Sequence, residues 1–393
     1  MKTISTMILL FFLTLISKEV YSQTWTRMAD MPVAKASFGC AEVNGKLYTF
    51  GGEGPSSTFN PNLLNIVEDY DPQLNSWKTK QKMPVPLTFI RAILVNGKIY
   101  AFGDRSTGAH AAFEYNPEAD TWTEKSKTPE SFSTFGASNC VVVNSEIYLQ
   151  SDNKFFCYNP SSNSWRTITF DKQLPGLSSL AEANGIIYSM GGNISSGKDS
   201  KEIYKYDFET NTWSFVANLP SPREEHSSLI IGDRLYVVGG LNDANGSLLN
   251  DFYSLDLKSN VWTKLPSLPV KPHFPGLASV GSEIFIAGGT SGLNRFTGHQ
   301  KLLYCFETEA TTSVNEMKGS HLKIYPNPAK NLLNIEANDL ELNYKLMNLS
   351  SATVLSGKIA DKRSIDVSQI SKGIYLLCLF NDKMTMSRKV IVD

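Results

Sequence analysis

Histidine, cysteine, charge of one sign and long apolar runs are all scarce in this chain. Its five histidines, His110, His226, His273, His299 and His321, show no short ligand spacing, and none pairs with a cysteine or aspartate in a zinc-like pattern, so neither a metal nor another cofactor is expected. The five cysteines, Cys40, Cys140, Cys157, Cys305 and Cys378, are odd in number and include no CxxC pairing, which argues against metal or redox chemistry. Each lies in an apolar, strand-like run such as "NCVVV" or "FFCY", and is expected to be a small buried hydrophobe. Basic residues number 37 against 38 acidic ones with no basic run, so the electrostatic footprint of a nucleic-acid binder is missing. There is no GxSxG nucleophile elbow, and no glycine-rich loop opens a helix to cradle phosphate.

The long apolar run that does occur, "MILLFFLTLI", follows Lys2 and precedes "VYSQ". Ten apolar residues fall short of the roughly 20 needed to span a bilayer. The layout is that of a secretory signal peptide, residues 1–22, with cleavage after Ser22 exposing Gln23 and no cysteine there to carry a lipid. No transmembrane segment is expected in the mature chain. Aromatic residues make up 11% of the sequence, and frequent glycine and asparagine suit short strands joined by tight turns, so the fold class expected is all-β.

A repeat organises most of the chain. "NGKLYTFGG" from Asn44 recurs as "NGKIYAFGD" from Asn96, "NSEIYLQSD" from Asn144, "NGIIYSMGG" from Asn184, "GDRLYVVGG" from Gly232 and "GSEIFIAGG" from Gly281. A second element follows five of the six copies: "YDPQLNSW", "YNPEADTW", "YNPSSNSW", "YDFETNTW" and "LDLKSNVW", ending at Trp77, Trp122, Trp165, Trp213 and Trp262. The sixth copy begins at Tyr304 but carries Thr311 where the tryptophan belongs. The missing piece stands at the other end of the chain. Trp25 precedes Pro32 by the seven residues that separate Trp77 from Pro84 and Trp262 from Pro269. Six four-stranded sheets in a ring, the last completed by the N-terminal strand, use every piece once and leave no sheet edge open.

With a period of roughly 50 residues, a Gly-Gly doublet after an apolar strand and a tryptophan in the last strand, Thr24 to about Thr311 resembles the kelch-repeat β-propeller family. The propeller domain is accordingly placed at residues 23–311. Two copies depart from the pattern, with Gly103-Asp104 and Ser151-Asp152 in place of the doublet, and the third blade is expected to be irregular at the latter.

A polar linker, residues 312–320, separates this domain from residues 321–393, whose alternating stretches predict a small β-sandwich. Tyr325, Pro326, Asn327 and Pro328, followed by Gly373, Ile374 and Tyr375 and the terminal "RKVIVD", make this segment similar to the type A C-terminal sorting domain of the type IX secretion system of Bacteroidetes. The resemblance implies the type IX machinery as a partner, with passage through the periplasm and across the outer membrane to the cell surface or beyond.

In a propeller of this type the first strand of each blade lines a central channel, and ligands commonly meet the loops at one mouth. The inter-blade loops carry Lys35, Arg91, Ser133, the run Arg223, Glu224, Glu225 and His226, and His273. The fifth blade alone joins both charge signs to an imidazole. Arg91, Arg223, Glu224, Glu225, His226 and His273 are therefore the candidate ligand-binding residues, with arginine suited to grip a carboxylate. In the competing reading, Arg223 and His226 pin neighbouring loops. Two function classes follow: a non-catalytic propeller that binds a glycan or a protein outside the cell, and an enzyme resembling the bacterial kelch epimerases that interconvert anomers of N-acetylneuraminate. Convergence of Arg91, Arg223, Glu224, Glu225 and His226 on one mouth would favour the enzyme, and scattering would remove it.

Overall fold

The computed structural model describes residues 24–56, 62–104, 110–129, 140–151, 153–194, 198–292, 297–308, 323–336, 342–348, 353–359, 364–381 and 384–393. The expected signal peptide, the linker and Ser133 lie outside them. The chain divides into two compact units between Ala310 and Thr311.

The first unit is a β-propeller of six four-stranded antiparallel sheets. The first blade runs through Gly39–Val43, Lys46–Gly54, Asn62–Asp71 and Ser76–Lys80. The innermost strands of the next five are Thr88–Val95, Val141–Val143, Ser179–Ala183, Ser227–Ile231 and Gly276–Val280. The sixth blade takes its outer strand from the other end of the chain, where Trp25–Arg27 pairs antiparallel with Phe306, Cys305 and Tyr304.

Hydrogen bonds between blades explain the repeated letters. In five of the six repeats, Trp213 being the exception, the tryptophan indole donates to a carbonyl at or just past the last strand of the preceding blade. Trp77 donates to Ala29 at 2.8 Å, Trp122 to Gln81 at 3.0 Å, Trp165 to Ser126 at 2.8 Å, and Trp262 to Asn218 at 2.9 Å. Trp25 obeys the same rule, donating to Pro266 of the fifth blade at 2.9 Å. Because the first blade's Trp77 reads Ala29, beside the N-terminal strand, that strand occupies the sixth blade in register. Within a repeat, the Tyr70, Tyr115 and Tyr158 hydroxyls donate to Asn75, Asp120 and Asn163, which sit at positive φ in the turn before each tryptophan.

The doublets let the loops that enter the blades approach closely. Gly240 has φ +93, and a Cβ there would lie 2.5 Å from the Glu224 carbonyl oxygen, so only glycine fits. The third blade has four strands, with Ser151 paired to Lys154, while Asp152, where irregularity is expected, lies outside the described residues. All five cysteines are free thiols; Cys140, Cys157 and Cys305 are buried, and Cys40 and Cys378 are partly covered.

The second unit is a β-sandwich. A three-stranded sheet of Lys323–Tyr325, Leu332–Glu336 and Ser364–Asp366 faces a four-stranded one containing Leu342–Met347, Thr353–Ile359, Gly373–Asn381 and Met384–Val392. Leu333, Ile335 and Ile365 from one sheet and Leu346, Leu377 and Val390 from the other form one apolar core. The sorting-motif residues hold its ends together: Asn327 Oδ1 accepts the Ile391 amide at 2.8 Å, and the Tyr375 hydroxyl donates to the Ser371 carbonyl at 2.7 Å. The Tyr325-Pro326 and Asn327-Pro328 bonds are cis.

Candidate functional site

A single backbone device builds the propeller mouth. Where the chain turns inward to start a blade, one residue adopts left-handed φ: Ser37 (54°), Phe89 (49°), Leu177 (56°), Glu225 (53°) and Phe274 (54°). In the first, fourth, fifth and sixth blades, the residue before it bridges to the residue after that blade's doublet, as Ala36 to Glu53, Gly176 to Asn193, Glu224 to Leu241 and His273 to Thr290. Bulky non-glycine residues rarely accept this conformation, and such strain often marks sites of function. The rings of Phe89 and Phe274 meet edge to face at 6.3 Å, and the Ser37 amide reaches the Phe274 carbonyl at 3.4 Å.

Inward of these residues lies a central cavity of about 410 Å³, lined by the first strands of all six blades. Arg91 is the only basic side chain among its described lining residues, with Cys40, Cys140, Ser228, Glu42 and Glu182 also on the wall. Arg91 is buried and donates to the Phe89 carbonyl at 3.1 Å. Burial pushes its pKa down to about 10, opposed by Cys140 and Asp104, so it remains a cation at neutral pH.

Arg223 points elsewhere. Its side chain has no exposed surface, and its fork grips both carboxylate oxygens of Asp251, at 2.7 and 3.0 Å. It also donates to the Gly239 carbonyl at 3.1 Å and the Ser221 hydroxyl at 2.7 Å. The first blade repeats this arrangement with Lys35, wholly buried, bonded to Glu68 at 2.7 Å and Thr49 at 2.9 Å. Both cations pin an inter-blade loop to their own blade.

His226 is also internal, its ring wedged so that a Cβ on Gly191 would lie 2.7 Å from Cε1. Burial, reinforced by Arg223, pushes its pKa down to about 3 and keeps it neutral. Glu225 and His273 join the fifth and sixth blades through a side-chain hydrogen bond, and the imidazole lies tilted against the Phe274 ring at 4.2 Å. Glu224 meets Asp199 and Asp243, which the sequence did not bring forward. Burial first, then Glu225 and Asp199, raise its pKa to about 8, and burial also raises that of Asp199.

The candidate residues therefore fall into three places. Arg91 lines the channel, Arg223 and His226 are built into the fifth blade, and Glu224, Glu225 and His273 belong to the loops, outside the cavity lining. The convergence that a sugar-acid enzyme would require is not formed by these side chains. Asp199 and Asp243 lie just past the doublets of consecutive blades, in "SGKDS" and "LNDANG". An acidic residue recurring there was the available signal, masked by loops of different length.

Comparisons with known proteins agree with this architecture. The family model described as N-acetylneuraminate epimerase matches residues 7–228. A KLHDC2/KLHL20/DRC7 Kelch-repeats domain matches 149–313, and a secretion system C-terminal sorting domain matches 323–393. The chain is 27% identical over 214 residues to Kelch-like protein terF of Aspergillus terreus, covering 52% of this chain and 39% of that protein. It is 24% identical over 234 residues to Kelch-like protein 25 of Xenopus tropicalis, covering 57% and 33%. The chain thus spans well under half the length of these curated relatives. The solved structure entitled "Structure of YjhT" superposes with a TM-score of 0.57 at 15% identity, over 72% of this chain and 98% of that one, a likeness of fold.

Proposed function

The chain belongs to the N-acetylneuraminate epimerase family, and from that premise we propose that it is an exported kelch propeller that binds a sugar acid in its central channel, with Arg91 holding the carboxylate. The observation that carries this reading is the placement of Arg91 as the one basic side chain among the described residues lining a cavity of about 410 Å³. That volume falls within the roughly 300–1,000 Å³ of small-molecule sites. A guanidinium matches a carboxylate through paired donors, and burial strengthens such a bond. Ser37, Ser228 and Ser279 supply polar groups for sugar hydroxyls, while Phe89 and Phe274 give the cavity an apolar wall.

The sorting domain implies delivery by the type IX system to the cell surface or outside. A signal peptide at residues 1–22 completes that route in our reading.

Anomer exchange is a second reading: the scattering of the candidate side chains counts against it, and the family match over residues 7–228 favours it. It needs an acid and a base within hydrogen-bond reach of the sugar. The carboxylates on the described cavity wall, Glu42 and Glu182, each already accept a turn amide at 2.7 Å, from Gly45 and Gly185. Binding is therefore what the geometry supports first.

Thermal unfolding of the mature chain with N-acetylneuraminate, glucuronate and their methyl esters tests the proposal. The free acids are expected to raise the melting temperature, by the equivalent of about 2.7 kcal/mol at a hundredfold excess over Kd. The esters should not, and Arg91→Met should abolish the shift. Absence of any shift would discard the channel ligand and turn the search to a protein partner. NMR exchange between anomers, with and without the protein, separates binding from catalysis.

A further inference from the structure

A cluster outside the channel has ligand chemistry of its own. Asp199 ends the small hairpin beyond the fourth blade's doublet, Asn193–Ile194 with Lys198–Asp199. Asp243 begins the 3-10 turn in the matching hairpin of the fifth blade, and Glu224 lies on the loop between these blades. One carboxylate oxygen from each lies within 4.8 Å of the other two. We propose that Asp199, Glu224 and Asp243 form a calcium site that ties the outer hairpins of blades four and five together.

Glu224 supplies the observation beyond mere clustering. The residue is only 6% exposed and its Oε2 is buried with no hydrogen-bond partner, the Asn193 side chain being the polar neighbour that the Glu224 and Asp199 carboxylates share. Backbone bonds to Leu241, at 2.9 Å from the Glu224 amide and 3.0 Å to its carbonyl, hold it in place. Asp199 Oδ1 is likewise buried and unpartnered. A buried carboxylate oxygen without a partner is costly, and a cation bound there would remove the cost. Among the described residues no lysine or arginine forms an ion pair with any of the three. The arrangement is also braced, since Asp199 Oδ2 accepts the Asp243 amide at 2.5 Å.

The donor set selects the ion. Carboxylates are hard oxygen ligands, which suit calcium or magnesium and carry none of the nitrogen or sulfur that zinc favours. Calcium at about 2.3–2.6 Å allows two of its ligand oxygens to stand up to about 5 Å apart, whereas magnesium at about 2.0–2.1 Å requires a tighter set. Sequence spacing hid the site because its ligands come from two blades and the loop between them. None of the three lines the channel, so this proposal stands apart from the sugar-acid reading.

Calorimetric titration of calcium chloride into the EDTA-treated mature chain, paired with thermal unfolding, is the test. Saturable one-site binding and a calcium-dependent rise in melting temperature are expected, with a weaker response to magnesium and none to sodium chloride of equal ionic strength. Asp243 is exposed, so Asp243→Asn should fold normally by circular dichroism while losing at least about tenfold in calcium affinity. Asp199→Asn provides the second variant. Absence of binding heat in the wild-type chain, or a calcium response unchanged in both variants, would overturn the site.

Discussion

Trp25→Ala is expected to destabilise the propeller by about 3–5 kcal/mol, the range for removing a buried aromatic side chain. The ring packs against Phe252 at 5.0 Å and Phe306 at 5.2 Å, and its indole bonds the Pro266 carbonyl. It thus joins the N-terminal strand both to its own sixth blade and to the outer part of the fifth. Alanine removes the apolar area, opens a cavity between two blades and leaves that carbonyl without its indole donor. It also weakens the strand that completes the sixth sheet, exposing the edge of Leu303–Glu307. Urea unfolding followed by far-ultraviolet circular dichroism measures the loss directly. A cost below about 1 kcal/mol would mean that this strand decorates the ring without closing it.

The strand is also where sequence reading reached furthest. Trp25 alone says nothing, but its distance to Pro32 matches that of Trp77 to Pro84, and the sixth repeat lacks a tryptophan, so one chain end completes the other. Ring closure was legible because five of the six blade interfaces reuse one contact, indole to preceding-blade carbonyl, and repeated physics leaves repeated letters. The mouth follows the opposite rule. Ser37, Phe89, Leu177, Glu225 and Phe274 share one backbone conformation yet no side-chain chemistry, so no motif marks them. "SPREEH" announces a dense charge group but does not show which way each side chain points. Arg223 turns inward because Asp251, at the head of the blade's third strand, waits there, and Lys35 does the same toward Glu68. The cation is visible in the sequence, whereas its partner lies across a variable loop.

Arg223→Met should accordingly behave as a folding variant and leave ligand recognition in the channel unchanged. The substitution keeps much of the apolar stem but removes the bonds to Asp251, Gly239 and Ser221, stranding a carboxylate that the guanidinium had neutralised. Breaking a buried pair by deleting one partner costs roughly 3–5 kcal/mol, and because the Asp251 side chain keeps 21% of its surface, the low end of that range is expected here. Arg223→Lys should recover only part of the loss, since a point charge cannot reproduce the two-oxygen fork. Adding Asp251→Asn to Arg223→Met should restore about 1 kcal/mol or more by removing the orphaned charge. The same variants carry a functional readout. If the channel rather than the fifth-blade loop takes the sugar acid, calorimetry below the variant's melting temperature should return the wild-type Kd for Arg223→Met and no binding for Arg91→Met. A sugar-acid affinity lost with Arg223→Met, in protein shown to be folded at the assay temperature, would relocate the site to the fifth-blade mouth and give Arg223 a role in recognition that its bonds to Asp251 do not suggest.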